Sequence, residues 1–237
     1  MSSFKRPFTG KLAGKDLVRF EVDYPGLRLA AIQMVNVRVS SSEPTFEECE
    51  EDAFTRIRSE MTLDGLKDDP IFRSFRDLYW TFGMDPTKLR VSSEALLRRI
   101  LVGQNLWRVN NVVDVANLAS AIHKLPIGLT DVSKLVGNIV VRSARNGEVF
   151  HKIGGETIVC RGREVVVADS EKIVCFGYAT HDSDLTKVTE RTNEVLLLIY
   201  GSPQISSDGI SRALNTTSDM VEQWLHCRIA GRQVFHS

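Results

Sequence analysis

The stretch that decides the fold runs from Val112 to Gly201. VVDVANLASAIHKLPIGLTD (112–131) carries apolar residues at helical spacing and breaks at Pro126. GNIVVRSARNGEVFHKIGG (137–155) and EVVVADSEKIVCFGYA (164–179) switch to short apolar runs punctuated by glycine, and TKVTERTNEVLLLIYG (186–201) closes on a last one. Val112, Val115, Ala116, Ala119 and Ile122 predict a helix over 111–123. From Gly137 the pattern predicts strands at 139–142, 149–152, 157–160, 165–168, 173–176 and 195–200, separated by Gly147, Gly154-Gly155, Gly162 and Ser170-Glu171. Helices first and strands afterwards argue for an α+β domain, a mixed β-sheet flanked by helices, over regular βαβ winding.

Working outward, Ser92 or Ser93 caps a short helix carrying Leu96, Leu97, Ile100 and Leu101, closed by Gly103. Asp69-Pro70 opens another, with Ile71, Phe72, Phe75, Leu78 and Tyr79 as its apolar stripe. Thr45 with Glu48 reads as a capping box for a helix through Met61. Residues 17–39 predict an N-terminal β-hairpin turning at Tyr24-Pro25-Gly26-Leu27. The tail from Ser206 reads as helical, with Met220, Trp224 and Leu225 docking on the body. The expectation is a single domain over 1–237: an N-terminal hairpin and helical extension (1–83), a core (84–203) and a C-terminal helical tail (204–237).

Thirty basic and thirty acidic residues in 237 give zero formal charge. That balance argues against a strong non-specific nucleic-acid binder, although a local basic face is compatible with it. Cys49, Cys160, Cys175 and Cys227 lie far apart with no C-x-x-C spacing, so no metal is expected. There is no GxxxxGK[ST], GxGxxG or HExxH motif, and no cofactor is expected. The first residues lack the apolar run of a signal peptide, and no segment is long and apolar enough for a membrane span. A cytoplasmic protein is the resulting expectation.

Asn110, Asp114 and Asn117 are spaced to share one helix face. They either line a polar pocket or bond the neighbouring loop and fix its shape; the two roles can coexist. The loop 179–190, ATHDSDLTKVTE, places polar groups between apolar runs, as a surface turn or a pocket rim does. His181-Asp182-Ser183 matches a hydrolytic triad in composition only, since adjacent residues rarely converge. Lys187 can meet a phosphate as a point charge. Between Lys88 and Arg108 five basic residues face one acid, Glu94, which makes Arg98 and Arg99 candidates for an RNA-backbone patch.

In order and spacing, the segments from Arg108 to Gly201 resemble the B3/B4 domain of the phenylalanyl-tRNA synthetase beta subunit, over roughly 95 of 237 residues. The run GMDPTKLRVSSEALLRRILVG (83–103) is similar to the lead-in of freestanding members of that family. The resemblance implies a pocket for the amino acid and terminal adenosine of tRNA, bounded by helix 111–123, loop 126–131, the Gly154-Gly155 hairpin and loop 179–189. It implies substrate contacts from Asn110, Asp114, Asn117, Gly128, Gly154, Gly155, Asp184 and Thr186, with Asp184 near the place of a pocket glutamate. RNA contacts fall to Arg98, Arg99 and Lys187. The implied partners are tRNA or aminoacyl-tRNA, together with the free amino acid. One departure stands out. Gly128 occupies the position of the family's pocket histidine, which removes a general acid or base and enlarges the local space. Hydrolysis would then rest on a positioned water, with backbone amides of Gly128 or Gly154-Gly155 as donors. The implied function is recognition of aminoacyl-tRNA with hydrolysis of a mischarged amino acid; the alternatives are a non-catalytic module binding an amino acid, nucleoside or tRNA end, or a protein-interaction domain. Nothing resembles an adenylate-forming domain, so the chain is not a complete synthetase.

Overall fold

Two sheets divide the work of burying the apolar runs. The computed structural model describes residues 17–237. Along the chain these form β1 (Val18–Phe20), β2 (Arg28–Val35), α1 (Pro44–Glu60), α2 (Pro70–Thr81), α3 (Ser92–Leu101) and α4 (Asn111–His123). There follow β3 (Ile127–Asp131), β4 (Ile139–Ser143), β5 (Asn146–His151), β6 (Thr157–Arg161), β7 (Val165–Ala168), β8 (Ile173–Phe176) and β9 (His181–Asp182). β10 (Val195–Gly201), α5 (Ser207–Trp224) and β11 (Arg228–His236) complete the order. One sheet has five strands in the order β1-β4-β7-β8-β9, the other four in the order β11-β2-β10-β3, and β5-β6 form a separate hairpin. Over the described residues the protein is an α+β domain with one mixed sheet, one antiparallel sheet and five α-helices.

The apolar runs explain the topology. β10 is buried at every position, so it needs a partner on each edge and cover on each face. β2 supplies one edge and β3 the other, both antiparallel. Helices α4 and α5 pack on each other, α4 also contacts β3, and α5 contacts β2 and β10.

Four expectations are corrected. The N-terminal strands do not form a hairpin. β1 pairs in parallel with β4, whereas β2 lies between β10 and β11. The reason is in β2 itself: Leu29–Met34 are all buried, which a two-stranded ribbon cannot provide. The C-terminal tail is helical only to Trp224; Arg228–His236 then alternate exposure and pair with β2 as an edge strand. The segment 127–131, read as loop, is strand β3. Finally, neither Thr45 nor Ser92/Ser93 caps by side chain. α1 starts at Pro44, whose fixed φ suits a first helical position, and α3 starts after Val91. Asp69 and Asn110 do cap, accepting from the N–H groups of Ile71 and Val113.

Candidate functional site

The edges of the two sheets meet at a single acidic side chain. β3 is an edge strand of one sheet and β9 of the other. Asp182, at the end of β9, accepts a 3.0 Å hydrogen bond at Oδ2 from the Leu129 N–H of β3. Its backbone carbonyl accepts from the Ile153 N–H at 3.4 Å, and Lys152 bridges to Ser183. Asp182 thus joins three walls of the expected pocket: the segment after Pro126, the Gly-Gly hairpin and the second polar loop.

The opposite oxygen faces Gly128. A Cβ on Gly128 would lie 2.8 Å from Asp182 Oδ1 and 3.1 Å from the Tyr200 hydroxyl. Here the expectation of added space is overturned: the room left by the missing histidine is taken by Asp182 and Tyr200. Cys175 lies opposite Asp182 in the β8–β9 register, and its Sγ accepts from the Ala179 N–H at 3.3 Å. Asp182 as a residue remains partly exposed, while burial of its carboxyl pushes its pKa up to about 6, against the opposing pull of the Leu129 N–H. Burial also raises the Cys175 thiol and the Tyr200 phenol well above their ordinary ranges, so both stay protonated. Next to Asp182, burial and the nearby Lys152 push His181 down to about 4, leaving a neutral imidazole.

The turn that delivers Asp182 is strained. Gly177, Tyr178 and Ala179 have φ of +73°, +46° and +89°, and only the first is glycine. Among the contacts that hold it, the Tyr178 hydroxyl donates to the Arg28 carbonyl at 2.7 Å, and Thr180 Oγ1 lies 2.6 Å from the Tyr79 hydroxyl.

A separate cleft of about 560 Å³ opens at the start of α4, between Ser40-Ser41, Val109-Asn110 and Thr189-Glu190. Asn110 caps α4 through its side-chain oxygen, which leaves the amide nitrogen to donate to a ligand. Asp114 instead turns toward the start of α1, accepting from Ser42 Oγ at 2.7 Å and from the Val109 N–H at 3.0 Å. Those are the loop-fixing bonds, and among the described residues the Asp114 carboxylate makes no hydrogen bond to loop 179–189. The Asn117 side chain, partly buried one turn on, has no hydrogen bond among the described residues.

The other candidates sort as follows. Asp184 bonds Lys187 Nζ at 2.7 Å, and the Lys187 carbonyl accepts from Lys134 Nζ at 2.8 Å, so these two form one surface pair. The Thr186 hydroxyl is buried with no protein partner. Gly154 and Gly155 form an open hairpin tip at φ of +103° and +92°, but the Gly155 N–H is used by the Lys152 carbonyl and is not a free donor. Arg98 and Arg99 do not share a patch. Arg98 turns to Glu94, while Arg99 stacks on Trp107 at 4.2 Å and donates to Gln104 and Asn105. Arg108 is held by Glu50 at 2.7 Å. Asp182 is the residue that sequence reasoning misses: its neighbours suggest only a triad of adjacent residues, whereas the tight turn after β8 folds it back opposite Cys175.

A two-sheet α+β domain with its polar loops brought together between the sheet edges is the class that this geometry defines. Residues 74–224 match the B3/4 domain, and the chain belongs to that family. It is similar to phenylalanine–tRNA ligase beta subunits: 28% identical over 117 residues to that of Fusobacterium nucleatum, covering 49% of this chain and 14% of the relative. The Aquifex aeolicus subunit is 30% identical over 103 residues, 41% of this chain and 13% of the relative. The chain therefore corresponds to a small part of these proteins. An N-terminal fragment of the phenylalanyl-tRNA synthetase beta subunit from Pyrococcus horikoshii aligns over 99% of this chain and 53% of its own, with a TM-score of 0.43 at 12% identity. Among the described residues no helix is long and apolar enough to cross a membrane.

Proposed function

We propose that the chain recognises the aminoacylated end of tRNA and hydrolyses a mischarged amino-acid ester, with Asp182 as its central residue. The observation that carries this reading is the carboxyl held between Gly128 and the Leu129 N–H, with its pKa near 6. Such a group is ionised at neutral pH yet basic enough to take a proton from water or to pair with the α-ammonium of an aminoacyl ester. It does so in the space where the resembled family carries an imidazole. The Leu129 N–H holds the carboxylate in place, and Tyr200, kept protonated by burial, closes the other side of Gly128. Asn110, Thr189 and Glu190 offer polar contacts for the ribose or base at the cleft, and the unpartnered Thr186 hydroxyl can turn to a ligand. The Asp184–Lys187 pair is exposed enough to exchange its carboxylate for a phosphate.

The test is a deacylation panel with purified protein and several mischarged tRNAs, comparing the parent chain with Asp182→Asn. The amide keeps an acceptor for the Leu129 N–H and removes the base. Hydrolysis present in the parent and lost in the variant supports the reading; equal rates in both would refute the role of Asp182. If no ester is hydrolysed faster than in buffer while aminoacyl-tRNA is still bound, the non-catalytic module is the better description.

A further inference from the structure

A concentration of positive charge lies around the exposed indole of Trp80 at the end of α2. Trp80 is 60% exposed and borders two concavities. The first, about 390 Å³, is lined by Lys67, Arg76, Arg90 and Arg98 around Glu94. The second, about 690 Å³, is lined by Lys88, Arg161 and Arg163.

Three guanidiniums converge on the one buried carboxylate of the first concavity. Arg76 Nη2 lies 2.9 Å from Glu94 Oε2, Arg98 Nη2 lies 2.9 Å from Oε1, and Arg90 Nε lies 3.8 Å from the same oxygen. One negative charge cannot neutralise three positive ones, so two are left over at a wall that faces solvent. The remaining acids of the two linings, Asp85 and Glu164, are occupied. Asp85 caps its own turn through Thr87, and Glu164 accepts from Arg161 Nε and from the N–H groups of Arg161 and Arg163. Seven basic side chains thus stand against three acids in a molecule whose total charge is zero.

Guanidiniums on a rigid carboxylate, beside a solvent-facing indole, match a phosphate next to a base. Phosphate takes the planar fork of arginine, and an aromatic face takes any unstacked base. An acidic peptide would use the charge but has no need of the indole. A membrane surface would want an apolar tip in place of two hollows. The platform is also tied to the candidate site: Tyr79, next to Trp80, bonds Thr180, and the Ser92 N–H of α3 bonds the Ala179 carbonyl. We propose that Trp80, with Arg76, Arg90 and Arg98, forms a binding site for single-stranded nucleic acid, the base stacking on Trp80 and its phosphate meeting the guanidiniums. This extends the proposed function, on which it rests, by giving the unpaired strand leading to the esterified end a place to lie.

The experiment measures binding of a short single-stranded oligoadenylate, a duplex of the same length, polyglutamate and whole tRNA across a salt series. Trp80→Ala is expected to weaken oligoadenylate by roughly ten- to hundredfold and Trp80→Phe by much less. Arg90→Glu, at a 52% exposed side chain, should weaken both RNAs and flatten the salt dependence. The proposal is overturned if Trp80→Ala and Arg90→Glu bind oligoadenylate as the parent does, if the parent does not bind it, or if polyglutamate and duplex bind as tightly as the single strand. The two readings separate cleanly. Loss of deacylation in Asp182→Asn with unchanged Trp80 variants removes this site and leaves the proposed function. Trp80-dependent strand binding without any preference for aminoacylated tRNA does the reverse.

Discussion

A single missing side chain reorganises the candidate site. Because Gly128 has no Cβ, Asp182 and Tyr200 close over its Cα, and the space is no longer open to a larger residue. We therefore expect Gly128→His to fail as a restoration of the family's imidazole. Even Gly128→Ala should lower stability by about 1–3 kcal/mol in denaturant titration, because the new methyl displaces a buried oxygen. Asp182 carries a second, opposite cost. Its folded pKa of about 6 is above the ordinary aspartate value of 3.8, so the folded state binds the proton more tightly. The carboxyl therefore destabilises the fold progressively as pH rises from about 4 to about 6 and by a constant amount above that. Asp182→Asn should raise Tm at pH 7 by more than at pH 4; an equal effect at both would show that the group is not perturbed. Activity runs the other way. Hydrolysis by the ionised base should be full above pH 6 and fall as pH drops through 6, a limb absent from the asparagine variant. A residue that costs stability where it is ionised is one whose retention calls for a functional reason.

At the scale of elements, α4 separates what the sequence made legible from what it did not. Its period and its length were readable, because helix formation is local. The direction of its polar row was not: Asn110, read as part of that row, is instead the helix's cap. Asp114 and Asn110 are four residues apart, yet Asp114 is taken up by Ser42 and Val109 while Asn110 borders the cleft. Which way a polar helical residue turns depends on the segment that packs there, here the lead-in to α1 from far upstream. The same limit applies to Arg98 and Arg99: adjacent helical positions point in different directions, and only Glu94 and Trp107 reveal which. Two stability measurements follow. Asn110→Ala should cost about 1 kcal/mol through the lost cap alone. Asp114→Ala should cost more, about 1–3 kcal/mol, since it leaves the Val109 N–H without its acceptor and frees the α1 lead-in. If Asp114→Ala instead leaves stability untouched and abolishes aminoacyl-tRNA binding, its bonds to the loop are incidental and the ligand-binding role is the real one.

Across the whole molecule the strands that were legible singly were not legible as partners. Alternation and apolar runs located most of them, but pairing is decided by which edges remain open once the helices have covered the faces. Residues 17–20 thus join β4 in parallel, and 28–35 become an interior strand of the other sheet. The end of the chain closes the arrangement. β11 runs along β2 from Arg28 to Val35, the Ser237 N–H donates to the Leu27 carbonyl at 3.0 Å, and the Leu27 N–H donates to Ser237 Oγ at 3.0 Å. β11 alternates exposed with half-buried residues and adds Phe235, Ile229 and Val234 to the edge of the core. Its role is to cover a strand that is buried throughout Leu29–Met34 and apolar there except at Gln33, an edge that would otherwise recruit another chain. Deleting residues 226–237 should therefore produce concentration-dependent association, read by light scattering, out of proportion to the apolar area removed. Phe235→Ala keeps the strand's backbone bonds and should lower stability by about 3 kcal/mol while leaving the protein dispersed. Association in both variants alike would place the stabilising effect in the Phe235 side chain, and a monomeric deletion variant would mean that β2 tolerates an open edge.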